Sequence, residues 1–299
     1  MSNRRDFLKK ASAAIAGSLV LPFTNTFCTT ARADVPKTFA GAETFNRLVK
    51  LAAEKNWRAL PIGERIGAIG LELRGTPYVG STLELFDDRE VCSVNLLGLD
   101  CVTFFESALD FARMLDHAEN YSPQALMDQV TFTRYRDGKL TDYTSRLHYT
   151  ADWFFNNEQK HVVKVITRDL PGAVRFTHPV NFMSTHPGSY RQLKANPALI
   201  PAIAKIEQTI NEREMYYVPK ERVADAEPHL MTGDIIGITT TISGIDCSHT
   251  GLCYRDNNGL LRYMHASSTK KEVTLDDELA KYLASVSKDT GIMVARPIG

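Results

Sequence analysis

The hydrophobic period changes along this chain, and that change limits the folds open to it. Early on, apolar residues recur at intervals of three and four: Phe45, Leu48, Leu51 and Ala52, then Ile66, Ile69 and Leu73 ahead of Gly75-Thr76-Pro77. A third run, residues 102–115, is more strongly helical still, with Asp100 placed to cap it. Near the C-terminus residues 235–242, 249–255, 260–266 and 292–295 have the make-up of strands. A helix is expected over 276–286, and another from Pro201 that buries Ile203, Ile206 and Ile210. The middle is mixed. Residues 130–135 and 140–147 flank Asp137-Gly138 and predict a hairpin, and 161–167 predicts a strand before Pro171-Gly172. Helical and strand blocks kept apart in this way predict an α+β fold. With no repeat or low-complexity tract, residues 34–299 read as one domain with a long insertion over roughly 120–229.

Residues 1–33 read as an export signal. Asn3-Arg4-Arg5-Asp6-Phe7-Leu8-Lys9-Lys10 is a twin-arginine segment, followed by a short apolar stretch from Ala11 to Leu21 that contains Gly17. That stretch is too short to cross ~30 Å of hydrocarbon, so no stable membrane anchor is expected. Ala31-Arg32-Ala33 has the small-x-small pattern of a cleavage site, with Asp34 next. Phe27 stands where lipid attachment at Cys28 would need a small residue. Folded export through the twin-arginine machinery would place the working protein in the periplasm.

The full chain carries 35 basic and 35 acidic residues; loss of Arg4, Arg5, Asp6, Lys9, Lys10 and Arg32 leaves 30 against 34. A mildly acidic chain has no basic excess to hold nucleic acid or an anionic membrane. At 43% hydrophobic residues it is also not of disordered composition. Four cysteines remain after cleavage, Cys92, Cys101, Cys247 and Cys253, too sparse for a disulfide scaffold.

Three residues could form a nucleophilic site. If Asp100 caps the helix, Cys101 is its first residue, where the positive end of the macrodipole favours a thiolate. A base is available at His249, and His265 follows across the Asp256-Asn257-Asn258-Gly259 turn. An odd loop with Gly259 in a left-handed bulge would put both histidines on one face, directly opposed if paired numbers sum to 514. That permits a line from nucleophile to base to orienting group. Cys247, His249 and Cys253 also fall on one face of an unbroken strand, but an extended strand cannot bring the outer two to one metal ion. No metal or cofactor is expected.

These residues resemble a known family. Arg74-Gly75-Thr76-Pro77-Tyr78, Leu99-Asp100-Cys101, Gly233-Asp234-Ile235-Ile236, Ser248-His249-Thr250-Gly251 and Met264-His265-Ala266-Ser267 occur in the order found in NlpC-type, papain-like cell-wall cysteine peptidases. The resemblance implies a helix bearing Cys101 packed on an antiparallel sheet. Residues 181–187, Arg146-Leu147-His148-Tyr149 with Asp152-Trp153, and Gly244-Ile245-Asp246-Cys247 resemble the branch associated with N-acetylmuramoyl-L-alanine amidase activity, formerly a domain of unknown function. Val102 stands where many relatives have Ser, and Gly80-Ser81 follow Pro77-Tyr78-Val79 in place of the usual Trp-Gly-Gly. Both departures count against the common γ-D-glutamyl-diaminoacid endopeptidase activity and favour a different cleavage point; resemblance to the amidase branch implies the amide between muramic acid and L-alanine. The alternatives are γ-D-glutamyl-diaminoacid cleavage in the stem peptide and a muropeptide-binding protein without turnover. The resemblance implies Cys101 as nucleophile, His249 as base and His265 as its orienting group, with the Cys101 N–H and the Tyr78 hydroxyl as oxyanion donors. Arg146, Tyr149, Asp152, Trp153, Tyr190 and Arg191, all in the insertion, are the candidates for binding sugar and carboxylate.

Overall fold

A computed structural model describes residues 38–299. The export signal expected over residues 1–33 and the new terminus at Asp34 lie outside the described residues. Strand β1 (Phe39–Ala40) pairs in parallel with β2 (Val94–Asn95), apart from the main sheet. Helix α1 (Ala42–Glu54) buries Phe45, Leu48 and Ala52, and α2 (Ile62–Glu72) buries Ile66 and Ile69, along the stripes their spacing predicts. Helix α3 (Cys101–His117) differs from both: it is buried from Thr103 through Leu115 on all sides. It forms the axis of the domain, with α2 and α4 (Pro123–Arg134) against it and strands on another flank.

Four short strands or helices follow from the insertion before the sheet proper: α5 (Thr150–Gln159), β3 (Val163–Val165), β4 (Val174–Arg175) and α6 (Phe182–Thr185). After α7 (Arg191–Ala195) and α8 (Ile200–Asn211), the chain enters β5 (Tyr216–Pro219) and α9 (Val223–Ala226). The last segment supplies β6 (Ile235–Thr240), β7 (Cys247–Arg255), β8 (Leu261–Ser267), β9 (Glu272–Glu278), α10 (Leu279–Ser285) and β10 (Asp289–Pro297). Strand order is β4-β5-β10-β6-β7-β8-β9, antiparallel throughout, with β3 also paired to β10. The insertion therefore joins the sheet through β3, β4 and β5. Helix α3 packs beside β7 and β8, against the face that carries Leu252, Met264 and Ala266; Ile238, Cys253 and Tyr263 fill a second core. No described helix is long and apolar enough to cross a membrane.

Three local expectations are corrected. The hairpin over 130–147 is absent: Val130 lies in α4, which Ser122 caps through the Ala125 N–H at 3.1 Å. Thr131, Phe132 and Thr133 suit a strand, but burial of Leu126 and Val130 and the 2.8 Å bond from the Thr133 hydroxyl to Asp110 hold them helical. Asp137 and Gly138 do turn, at φ 54° and 71°, yet only one antiparallel bridge, Tyr135 to Arg146, remains of the pairing. Over 161–167 only β3 is extended. The helix expected over 276–286 is shorter, because residues 272–278 are recruited as a partner for the edge of β8.

Candidate active site

Cys101 begins α3 through a reciprocal cap. The Asp100 carboxylate accepts the Thr103 N–H at 2.8 Å, and the Thr103 hydroxyl accepts the Asp100 N–H at 2.8 Å. The preceding Leu99 is locked by a bridge to Tyr78, and Val79 N–H donates to Leu99 carbonyl at 3.1 Å. This sets the Tyr78 phenol beside Cys101 and Asp100, and burial, backed by the negative charge those groups carry when ionised, holds its proton on. The tyrosine is therefore a hydrogen-bond donor at neutral pH.

Two bulges shape the other side. In β7, Ile238 pairs with His249 but Thr239 pairs with Cys247, so Ser248 is an extra residue. The bulge reverses the side-chain alternation. Cys247 packs against the core around α3 while Cys253 belongs to the second core, so the expected shared face of Cys247, His249 and Cys253 does not exist. Strands β7 and β8 pair with numbers summing to 516, as in Leu252 with Met264, and Gly259 takes φ 78° in the loop. The histidines share a face, as parity requires, but they are diagonal and not directly opposed as a sum of 514 would make them. Their rings still meet edge to face, with His249 Nε2 2.6 Å from His265 Nδ1.

In β9 the second bulge sets Asp276 and Asp277 against Tyr263 alone. The Asp276 Oδ2 lies 3.2 Å from His265 Nε2, and Lys270 Nζ holds the other carboxylate oxygen at 3.0 Å. Protonation follows from this chain. Asp276 accepts, so His265 carries its proton on Nε2 and leaves Nδ1 bare. His249 then donates from Nε2, and its own Nδ1 is the free base. Burial keeps both imidazoles neutral, lowering His249 to about 3 and His265 to about 4; the Asp276 contact partly opposes the latter.

Thr250, next to His249, borders Cys101. Burial and the Asp100 carboxylate push the Cys101 thiol up to about 11, while donors on Thr250 and Val102 pull it the other way. This corrects the expectation of a resting thiolate, since burial outweighs the helix terminus. The buried Thr250 hydroxyl has no competing hydrogen-bond partner, which leaves it available to the Cys101 sulfur. Cys101 also lies within electrostatic reach of Tyr263 and Tyr282, the two rings packed on His265 at 4.6 and 5.0 Å. The site as arranged combines a thiol at a helix N-terminus, an oriented base and a phenol donor. That is the equipment of acyl transfer.

A cleft runs past these groups in two parts that share His148, Tyr149 and Tyr190. One cavity of about 300 Å³ borders Asp100 and Val102, the neighbours of Cys101. The other, about 330 Å³, borders Ser248, the neighbour of His249. Tyr149, Trp153 and Tyr190 line the first. Tyr149 is pinned, its hydroxyl donating to Glu207 at 2.7 Å and accepting the Met183 N–H at 2.9 Å, and Trp153 Nε1 donates to Glu106 at 3.1 Å. Arg146 borders the same cavity, but its guanidinium is buried between Glu84 at 3.1 Å and Glu90 at 3.5 Å. Asp152 is buried between Arg136 at 2.6 Å and Arg213 at 2.7 Å, and Arg191 is paired with Asp87 outside the lining. Expected as contacts for substrate, Arg146 and Asp152 instead meet internal partners, because the insertion packs as core, and the exposed Arg191 pairs with Asp87 at the surface.

Asp276, Thr250 and His148 were not singled out from sequence. The Val273-Thr274-Leu275 alternation beside β8 was the available sign for Asp276. The ring of His148, bonded to the Tyr143 carbonyl at 2.8 Å and kept neutral by burial, had no such sign. Among the described residues no three His, Cys, Asp or Glu side chains form a metal-holding group.

A family model described as AmiA-like, N-acetylmuramoyl-L-alanine amidase-like, matches residues 68–292. A crystal structure of an N-acetylmuramoyl-L-alanine amidase from Bacteroides uniformis is 35% identical, covering 80% of this chain and 99% of its own, at TM-score 0.73. A Bacteroides fragilis protein provisionally called a xylanase is also 35% identical, covering 76% and 98%, at TM-score 0.69. A Legionella pneumophila protein of family-model DUF1460 shares the fold at 21% identity, covering 86% and 95%, at TM-score 0.65. A comparison with curated proteins finds no match.

Proposed function

The chain belongs to the AmiA-like, N-acetylmuramoyl-L-alanine amidase-like family, and from that premise we propose that it is a cysteine amidohydrolase acting on peptidoglycan fragments. The bond cut is the amide between the lactyl carbonyl of N-acetylmuramic acid and L-alanine. The observation that carries this reading is the relay Asp276–His265–His249, which leaves His249 Nδ1 bare on the residue before Thr250, itself at the sulfur of Cys101.

Cys101 Sγ attacks the lactyl carbonyl as its proton passes to His249 Nδ1. The oxyanion is held by the Cys101 N–H and the Tyr78 hydroxyl. His249 returns the proton to the departing alanine nitrogen, the C–N bond breaks, and water hydrolyses the thioester to regenerate the thiol. Tyr190, half-buried and bordering both cavities, is the aromatic wall for the sugar, with the buried Tyr149 and Trp153 rings lining the first cavity beside it. The twin-arginine segment supports a periplasmic site of action.

Glycoside hydrolysis, suggested by the provisional name of one relative, is less well served. It needs two carboxylates free to flank the bond. Those bordering the first cavity are engaged: Asp100 caps α3, Glu84 holds Arg146 and Glu106 holds Arg134 at 2.8 Å.

A defined N-acetylmuramyl peptide, incubated with wild type and with Cys101→Ala and resolved by mass spectrometry, tests the reading. Wild type should release the intact peptide with a free alanine amino group, and Cys101→Ala should release none. Cleavage inside the stem would establish an endopeptidase instead. Tight binding without turnover by wild type would establish a binding protein.

A further inference from the structure

Among the described residues, the arginines bordering the cleft have their charges met from within. Arg134 is bound by Glu106, and Arg146 by Glu84 and Glu90. Lys288 is different. It is exposed immediately before β10, borders the second cavity with Ser248 and Tyr190, and forms no ion pair or side-chain hydrogen bond among the described residues. Its charge reaches His249, where it disfavours protonation. The cleft thus has an aromatic part beside Trp153 that borders Asp100 and Val102, the neighbours of Cys101, and a cationic part at Lys288 that borders Ser248, the neighbour of His249.

A muramyl peptide has the same polarity. Its sugar lies on one side of the scissile amide, and the first carboxylate on the other side is the α-carboxylate of D-glutamate, the second stem residue. At ~3.3–3.6 Å per residue that group sits about 7 Å from the scissile carbonyl. We propose that Lys288 binds this α-carboxylate and selects stems carrying it over stems in which it is amidated. The inference rests on the amidase reading and adds the determinant for the peptide side. A compact ammonium on a flexible stem suits one carboxylate held as a point charge.

The test compares kcat/KM on N-acetylmuramyl-L-alanyl-D-glutamate and on its D-isoglutamine analogue, for wild type, Lys288→Ala and Lys288→Arg. Wild type should favour the carboxylate by roughly 10- to 100-fold, the value of a hydrogen bond to a charged group. Lys288→Ala should lose that preference through the carboxylate substrate alone, and Lys288→Arg should keep most of it. Equal discrimination by wild type and Lys288→Ala, or none in wild type, would overturn the assignment. If wild type cuts neither substrate at the muramyl bond, the amidase reading fails; calorimetric binding of both peptides to Cys101→Ala and to Cys101→Ala/Lys288→Ala then decides Lys288 separately, by whether the carboxylate preference vanishes.

Discussion

Asp276 reaches His265 from the bulge in β9, its Oδ2 3.2 Å from the ring Nε2, and so sets which nitrogen of His249 is bare two side chains away. Asp276→Asn can reverse the relay. If its amide nitrogen donates to His265 Nε2, that ring becomes protonated on Nδ1, and His249 must carry its own proton on the Nδ1 that would otherwise serve as base. We expect kcat to fall on the order of 10²-fold or more with KM little changed, as for loss of a general base or its tautomer. Nitrogen-15 shifts of His249 should report the reversed tautomer. An unchanged tautomer with unchanged kcat would remove Asp276 from the site.

The protonation states give an unusual pH profile. With His249 lowered to about 3 and Cys101 raised to about 11, base and thiol are both in their neutral, competent forms across that interval. A plot of kcat/KM should therefore be flat from pH 5 to 8, with no acid limb near the ordinary histidine value. A limb at pH 6–7 would mean a charged His249 in the free enzyme. Stability has the corresponding dependence. The unfolded histidine takes up a proton below ~6.5 while the folded one resists until about 3, so stability should decline as pH falls through that window.

Gly251 explains how a tyrosine can pack on the histidine pair. A Cβ there would lie 2.6 Å from the Tyr263 ring and 2.7 Å from the Met264 carbonyl, and the backbone contact cannot be relieved by a side-chain rotation. Tyr263 in turn stacks on His265 with centroids 4.6 Å apart. Gly251→Ala should lower stability by about 1–3 kcal/mol, the usual cost of overpacking. It should also reduce kcat, because Tyr263 packs on both histidine rings. Thermal melts and steady-state kinetics check both.

Asp110 is a second buried acid, inside α3 and away from the relay. Burial and the nearby Glu106 raise it to about 7, with the Thr133 hydroxyl its partner and Oδ1 left without one. A carboxyl raised in the folded state contributes stability that is complete below its unfolded value near 3.8 and is lost as pH rises through 7. Asp110→Asn keeps the acceptor for Thr133 and removes the charge. It should be stabilising above pH 7, by up to about 4 kcal/mol for a shift near three units. The advantage should shrink toward pH 4, which melts at pH 5, 7 and 9 would show.

Legibility from sequence followed the range of the interactions. Asp100 and Thr103 are three residues apart, so the cap that starts α3 at Cys101 could be read directly. The shared face of His249 and His265 was likewise readable from loop parity and Gly259, while their diagonal offset was not. Asp276 was hidden because Leu275-Asp276-Asp277-Glu278 suits the start of a helix. Only the unpaired edge of β8 makes it a strand.

The sequence by itself determined the α+β class, the start of the helix bearing Cys101 and the common face of the two histidines, because capping and strand alternation act within a few residues. The tertiary structure decided the bulges at Ser248 and Asp276, the neutral state of Cys101 and His249, and the internal use of Arg146 and Asp152. Those depend on which distant strand supplies the partner and on how much water packing removes, and neither quantity is encoded in any one local stretch of chain.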